Sequence, residues 1–217
     1  MPARTYRKTR RRAPRAQRAR GLRREIPLEI GAAVILWLNG AFGAGKTTVA
    51  EQIVADNPQW RLFDPEMVGF LVRSQFQDFG FADFQQLRSW RRLTPMVADE
   101  IARETGQHLV IPQTVLDQQY WRELVTGIGD HGHTLHHVLL DARPEILRQR
   151  ICDDEVLHRA AGWRLEHLSI FLEARTWIAR EADLVVDTSA TSPRRTALVI
   201  ADAIRGWVEQ DKAEQRS

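Results

Sequence analysis

The chain has a single cysteine, Cys152, so no disulfide can form within it, and a reducing cytoplasm is the expected setting. It has no apolar run approaching the roughly 18 residues that a membrane-spanning helix needs, which makes a soluble protein the expectation. Its first 24 residues contain no acid and no serine. No apolar stretch follows that block, which excludes a secretory signal, and the missing serine counts against an organelle transit peptide. No internal repeat is evident, and the linkers between patterned segments are short. At 217 residues the expectation is therefore one domain with a substantial core.

What the first 24 residues do contain is eleven Lys or Arg, beginning with Arg4, Arg7 and Lys8 and ending with Arg23 and Arg24. Such a block repels itself and lacks hydrophobic periodicity, so residues 1–30 read as a disordered basic tail. The rest of the chain holds 20 basic against 28 acidic residues, so a formal charge of +3 hides a globular part near −8. That acidity argues against a nucleic-acid partner. The tail alone leaves room for peripheral contact with an anionic membrane.

The most informative segment is Gly40-Ala41-Phe42-Gly43-Ala44-Gly45-Lys46-Thr47, which matches G-x-x-x-x-G-K-[ST] at every fixed position. It follows the apolar run Val34-Ile35-Leu36-Trp37-Leu38 and opens a helix through Thr48-Val49-Ala50. In this setting the loop amides turn inward around phosphates, Lys46 reaches the outer ones, and the Thr47 hydroxyl is the expected Mg²⁺ ligand. A nucleoside triphosphate, ATP, is the expected cofactor.

Strand and helix patterns alternate after the loop. Strands are expected at Trp60–Phe63, His108–Ile111, His136–Leu140 and Leu184–Val186. Helices are expected from Pro65, over about 84–104, over 117–128, over 144–152, up to about 182, and from Pro193 to about 208. This implies a parallel sheet of five strands covered on both faces, an α/β P-loop domain over residues 31–217. The two helices of residues 65–105, with no strand between them, are the natural acceptor-binding insertion. The polar stretch 153–163 is the natural lid.

The run from Leu36 to Thr47 resembles the start of the tunicamycin-resistance proteins. So do Phe63-Asp64-Pro65-Glu66 with Gly69, Phe70 and Arg73, then Trp90-Arg91, and Ile111-Pro112-Gln113-Thr114. More distantly, the plan is similar to the antibiotic phosphotransferases that act on chloramphenicol and to nucleoside monophosphate kinases. The resemblance implies a three-layer kinase fold, ATP-dependent phosphoryl transfer, and tunicamycin or another uridine-containing small molecule as acceptor. Composition and spacing stop at phosphoryl transfer to an unidentified acceptor.

Phosphoryl transfer depends on charge neutralisation and alignment, so the groups expected around the γ-phosphate matter most. Lys46 comes first. Asp64, at the end of the second strand, reads either as a helix N-cap or as the acceptor base, with Glu66 as the fallback. The third strand ends without an acid at Pro112-Gln113-Thr114, so Asp64 has to support the metal as well if no other carboxylate does. Asp141 after the fourth strand reads first as a helix-start turn.

Gln113, Thr114 and Arg73 are candidates for acceptor contacts, each with an ordinary alternative as a loop or surface residue. Arg143, Arg148, Arg150, Arg159 and Arg164 surround the expected lid. Arg150 and Arg159 are the leading choices for closing on phosphates, and Arg148 for the base. Asp187-Thr188-Ser189 lies where related kinases pass beneath adenine.

The aromatic residues of the insertion read first as core. His131, His133, His136 and His137 do not read as a metal site. Besides a kinase, the pattern leaves open a protein that sequesters tunicamycin without modifying it, and a polynucleotide kinase recruited by the tail.

Overall fold

The structure, a computed structural model, describes residues 32–155 and 160–214, with side chains described through Trp207. The basic tail lies outside the described residues. In chain order the elements are β1 (Val34–Asn39), α1 (Lys46–Asp56), β2 (Trp60–Leu62), α2 (Glu66–Gln75), a 3₁₀ turn (Phe84–Gln86) and α3 (Arg88–Thr105). There follow β3 (His108–Pro112), α4 (Gln118–Asp130), β4 (Thr134–Asp141), α5 (Pro144–Cys152), α6 (Ala161–Glu181), β5 (Leu184–Asp187) and α7 (Pro193–Glu214).

The strands form one sheet in the order β2-β3-β1-β4-β5, all parallel. β1 is central and buried along its whole length, which explains its uninterrupted apolar sequence. Its alternate residues feed two cores. Val34, Leu36 and Leu38 pack with α1, α6 and α7 through residues such as Val49, Phe171 and Ile200. Ile35 and Trp37 pack with α2, α3 and α4 through Val72, Trp90 and Leu124. The result is a three-layer P-loop kinase fold. Since β1 joins β3 on one side and β4 on the other, the loop after β1 stands at the point where the strand order reverses, the usual ligand crevice of such sheets.

Three details depart from expectation. Phe84 does not open a long helix. It sits in a separate 3₁₀ turn capped by the Asp83 carboxylate, which accepts the Gln85 N–H, and α3 begins only at Arg88. The cause is tertiary, because the Phe84 ring packs on Gly69 of α2, where an added Cβ would lie 2.7 Å from it, and 5.3 Å from Trp90. α2 starts at Glu66, one residue later than expected, with Pro65 at its N-cap. The last residues of the expected lid, from Ala161, form the first turn of α6.

The histidine cluster is structural. His133 is buried, accepts the Ala33 N–H on Nδ1 (3.1 Å) and faces Asp99 with Nε2 (2.9 Å), which fixes a neutral ring with its proton on Nε2. Burial pushes the His133 pKa below the usual histidine value despite the Asp99 carboxylate. His137, buried between Trp121 and the Glu181 carbonyl, is lowered for the same first reason. Burial disfavours the charged form of Asp99 as well, but hydrogen bonds from Arg103 and His133 overcome it and hold its pKa down.

All three groups bind fewer protons folded than unfolded, so stability rises with pH and is lost as the pH is lowered. The loss begins as pH drops through about 6.5, where the unfolded histidines charge, and deepens below the ordinary Asp range, where unfolded Asp99 takes a proton. Thermal melts should show a lower Tm at pH 5 than at pH 7.5. A flat profile over that interval would refute the buried neutral histidines. No group of three or more histidine, cysteine, aspartate and glutamate residues that could hold a metal ion occurs among the described residues. Nor is any helix there long and apolar enough to cross a membrane.

Candidate active site

β1 ends at Asn39, a fully buried amide that clamps the crevice from below. Its oxygen accepts the N–H groups of Gly40 (2.8 Å) and Val115 (3.1 Å), and its nitrogen donates to the Val115 carbonyl (3.0 Å). The loop then turns through Gly40, Gly43 and Gly45, at φ 145°, 82° and 91°, values at which a side chain would be strained. α1 begins directly at Lys46, without a side-chain cap or an acid in its first turn. The positive end of the helix therefore faces the loop uncompensated, as an anion site requires.

Lys46 is folded back on this loop, its ammonium donating to the carbonyls of Gly40 and Ala41 at 2.9 Å each. Burial lowers its pKa to about 7, with the Glu66 carboxylate opposing and the Arg164 guanidinium assisting. Glu66 stands in the first turn of α2 and Arg164 in the first turns of α6. Arg164 is buried and held by Asp154 at 2.9 Å. Its guanidinium lies 5.8 Å from the Phe42 ring, and the Lys46 ammonium 5.6 Å from it. Phe42 packs in turn on Trp163, at 5.1 Å between ring centres, and on His167.

Asp64 stands at the edge of the crevice, half-buried. Its Oδ1 accepts the Glu66 N–H (3.0 Å) and its carbonyl accepts the Met67 N–H (3.2 Å), so it caps α2 from one residue outside the helix. The Trp90 indole, donating to the Pro65 carbonyl at 2.9 Å, pins this corner to α3.

The other expected residues divide. Thr114 is buried with its hydroxyl donating to the Gly40 carbonyl (2.8 Å), bracing the loop. Gln113 beside it is buried, with its carbonyl accepting the Trp37 indole N–H (2.9 Å). Thr47 and Thr48 are exposed at the start of α1. Arg73 is exposed in the last turn of α2, 5.9 Å from the Phe81 ring. Arg148 is exposed on α5, and Arg159 lies outside the described residues.

Arg150 donates to the carbonyls of Gly43 (3.3 Å) and Thr188 (2.7 Å), joining the P-loop to the segment after β5. The Thr188 hydroxyl reinforces that seam, bonding to the Ala44 carbonyl (3.3 Å) and the Asp141 carbonyl (2.9 Å). Between loop and segment lies a cleft of about 250 Å³. Asp141 itself is occupied by Arg175 of α6 (Nε, 3.0 Å).

The model of the AAA domain family matches residues 35–153, more than half of the chain and all of the crevice from β1 to the end of α5. This chain belongs to the AAA domain family. Its fold recurs in the tunicamycin resistance protein of Deinococcus radiodurans, with a TM-score of 0.63 and 26% identity over 79% of this chain and 95% of that one. The APS kinase of Mycobacterium tuberculosis, solved with AMPPNP and APS, matches with a TM-score of 0.52 at 14% identity, over 81% of this chain and 99% of its own. The shikimate kinase of Acinetobacter baumannii, solved with shikimate, matches at 0.51 and 19%, over 81% and 94%. No curated protein matches the chain in sequence. The resemblance to tunicamycin-resistance proteins read from the sequence thus returns in the structural comparison. Kinases of small molecules share the fold.

Two groups of this AAA domain escaped sequence reasoning. Asn39 was visible as a polar residue ending a buried strand, a position that demands partners. Arg164 was one of five arginines near the lid, and nothing in its local pattern set it apart. Its burial comes from α6 packing over Phe42, a contact of more than a hundred residues' separation.

Proposed function

We propose that this AAA-domain protein transfers the γ-phosphoryl group of ATP to a hydroxyl of a small antibiotic-like or uridine-containing acceptor, and that this transfer confers tunicamycin resistance. The observation that carries the reading is a glycine loop around one uncapped helix start, with Lys46 folded on its Gly40 and Ala41 carbonyls. Lys46 and Arg164 lie 5.6 and 5.8 Å from the Phe42 ring of that loop, so that two basic groups stand where phosphate charge would develop. The similarity to the Deinococcus radiodurans protein favours the acceptor class.

The loop amides from Gly40 to Thr48 hold the phosphates, and Lys46 leaves the Gly40 and Ala41 carbonyls to neutralise them. Arg164, already buried and oriented by Asp154, balances charge from the lid side. Arg159 of the lid joins it, while Arg150 acts from α5 by holding the Gly43 carbonyl of the phosphate loop. Asp64, with one oxygen fixed by the Glu66 N–H, takes the proton of the acceptor hydroxyl on the other. The bond from the γ-phosphorus to its bridging oxygen breaks, the bond to the acceptor oxygen forms, and ADP leaves. Thr47 is the oxygen donor that would hold Mg²⁺, which would supply charge neutralisation when bound. Gln113, Thr114 and Arg73 border the acceptor side. The two helices of residues 65–105 form the acceptor-binding insertion, and 153–163 the lid.

The test is a panel of uridine-containing and antibiotic hydroxyl compounds incubated with ATP, read as ADP release and product mass. A gain of one phosphate on tunicamycin or a related compound is the expected result. Unmodified tunicamycin co-eluting with the protein would replace transfer by sequestration. Asp64→Asn should lower kcat by about 10²- to 10⁴-fold while ATP affinity is kept. Full turnover by that variant would remove Asp64 from the proton transfer.

A further inference from the structure

Gln85 joins the two halves of the crevice. It stands half-buried in the 3₁₀ turn between α2 and α3 and donates its Nε2 to the Thr114 carbonyl at 2.9 Å. Thr114 in turn gives its hydroxyl proton to the Gly40 carbonyl at the root of the phosphate loop (2.8 Å), and the same carbonyl accepts the Lys46 ammonium (2.9 Å). A line of hydrogen bonds thus runs from Lys46 through Gly40 and Thr114 to the turn. The turn is held on its far side as well. The Gln85 N–H donates to the Asp83 carboxylate (2.9 Å), and the Gln85 carbonyl accepts a guanidinium N–H of Arg91. Arg91 is buried, paired with Glu123 of α4 (2.7 Å) and placed 4.1 Å from the centre of the Tyr120 ring. Next to Gln85, Phe84 packs on Gly69 of α2, and Trp90 ties α3 to the Pro65 carbonyl beside Asp64. The turn therefore sets where both helices of the insertion stand, and Gln85 sets where the turn stands relative to the phosphate loop.

We propose that Gln85 is a positioning residue that makes the acceptor insertion respond to nucleotide in the phosphate loop. The inference rests on the nucleotide-binding part of the function proposed above. In this structure the Gly40 oxygen is shared between the Lys46 ammonium and the Thr114 hydroxyl. Phosphates draw Lys46 away, the Thr114 hydroxyl then holds that oxygen without a charged competitor, and the bond between them tightens. Thr114 is thereby fixed more firmly, and its carbonyl is the one that receives the Gln85 amide. Gln113 donates to this carbonyl too (3.2 Å), but from the end of β3, so it passes nothing to the insertion. An insertion ordered in this way loses less freedom when the acceptor arrives, which favours acceptor binding after the nucleotide.

The test is backbone hydrogen exchange on the full chain with and without ATP and Mg²⁺. In wild type, ATP should slow exchange in the phosphate loop and also in the turn, at the Gln86 and Leu87 amides that bond to the Asp83 and Phe84 carbonyls. Gln85→Met keeps the length and removes the amide. Its loop should still slow, while the ATP-dependent slowing of its turn should be lost, a change of about fivefold in exchange rate, which is what one ordinary hydrogen bond is worth. Thr114→Val breaks the line one step earlier and should give the same loss, and the double variant should lose no more than either alone. Thermal melts within a few degrees of wild type keep folding out of the comparison. A merely structural Gln85 would loosen the turn equally with and without ATP, and its effect would add to that of Thr114→Val. That result, or a wild-type turn that ATP leaves unchanged, would overturn the assignment. Phosphoryl transfer without slowing at the turn removes the coupling and leaves the phosphotransferase standing. Slowing at both segments without transfer to any acceptor does the reverse, and failure to bind ATP removes both.

Discussion

If the chain is the phosphotransferase proposed above, Lys46→Met should lower kcat by about 10³-fold, because the variant removes the ammonium of the phosphate loop and puts in its place a side chain of similar length without charge. The thermal midpoint should not fall with it, since Lys46 donates only to carbonyls of its own loop and its burial already disfavours the charged form. Loss of turnover at constant Tm, in a coupled ADP-release assay beside a thermal melt, is the combined signature. A variant that retains more than about a tenth of the activity would exclude the neutralising role.

The same residue gives a pH dependence. With a pKa near 7, Lys46 is largely neutral at pH 8.5, and binding a polyanion then requires it to take up a proton. ATP affinity of the wild type should therefore weaken as pH rises from 7.5 to 9. In calorimetry the binding enthalpy should vary with the ionisation enthalpy of the buffer, and in the methionine variant both effects should vanish.

Gly40→Ala is the second large effect. At φ 145° the residue occupies a region that side chains avoid, and an added Cβ would lie 2.4 Å from the Leu140 carbonyl of β4. That carbonyl belongs to the centre of the sheet, where β1 and β4 pair from Val34 to Asn39, so neither partner can give way. Strain and forced backbone movement together should cost about 3 kcal/mol or more. For a domain of this size that is a fall in Tm of about 6–12 °C, with loss of nucleotide binding because the loop is displaced at its root. Gly45→Ala makes the contrast. Its Cβ would meet open space, so only the strain of φ 91° remains, about 1 kcal/mol. Equal Tm values for the two variants would show that the β4 contact is not what restricts Gly40.

The parts of this fold that were legible in the sequence are those fixed by local chemistry. β1 was plain because a strand buried on both faces is apolar throughout, and the P-loop because its glycines and lysine serve backbone geometry that recurs. Asp64 was recognisable as a helix start, and its Oδ1 does accept the Glu66 N–H, but the helix itself begins one residue later behind Pro65. β4 was read from His136 and in fact begins at Thr134, because register with β1 extends pairing to residues whose own pattern is weak. Phe84 was read as helical from spacing, whereas its packing on Gly69 and Trp90 holds it in a separate turn.

By itself, then, the chain's order of residues determined the parallel α/β plan and the phosphate loop, since both follow from periodicity and from short-range steric and hydrogen-bonding rules. Tertiary structure alone decided which distant groups meet there. Glu66 of α2 opposes the lowering of the Lys46 pKa, Arg164 rather than Arg148 is buried beside Phe42, and Arg150 seals the seam between Gly43 and Thr188. Each of these pairings is set by how α2, α5, α6 and α7 settle on the sheet, and residues that far apart in the chain leave no mark on one another's local pattern.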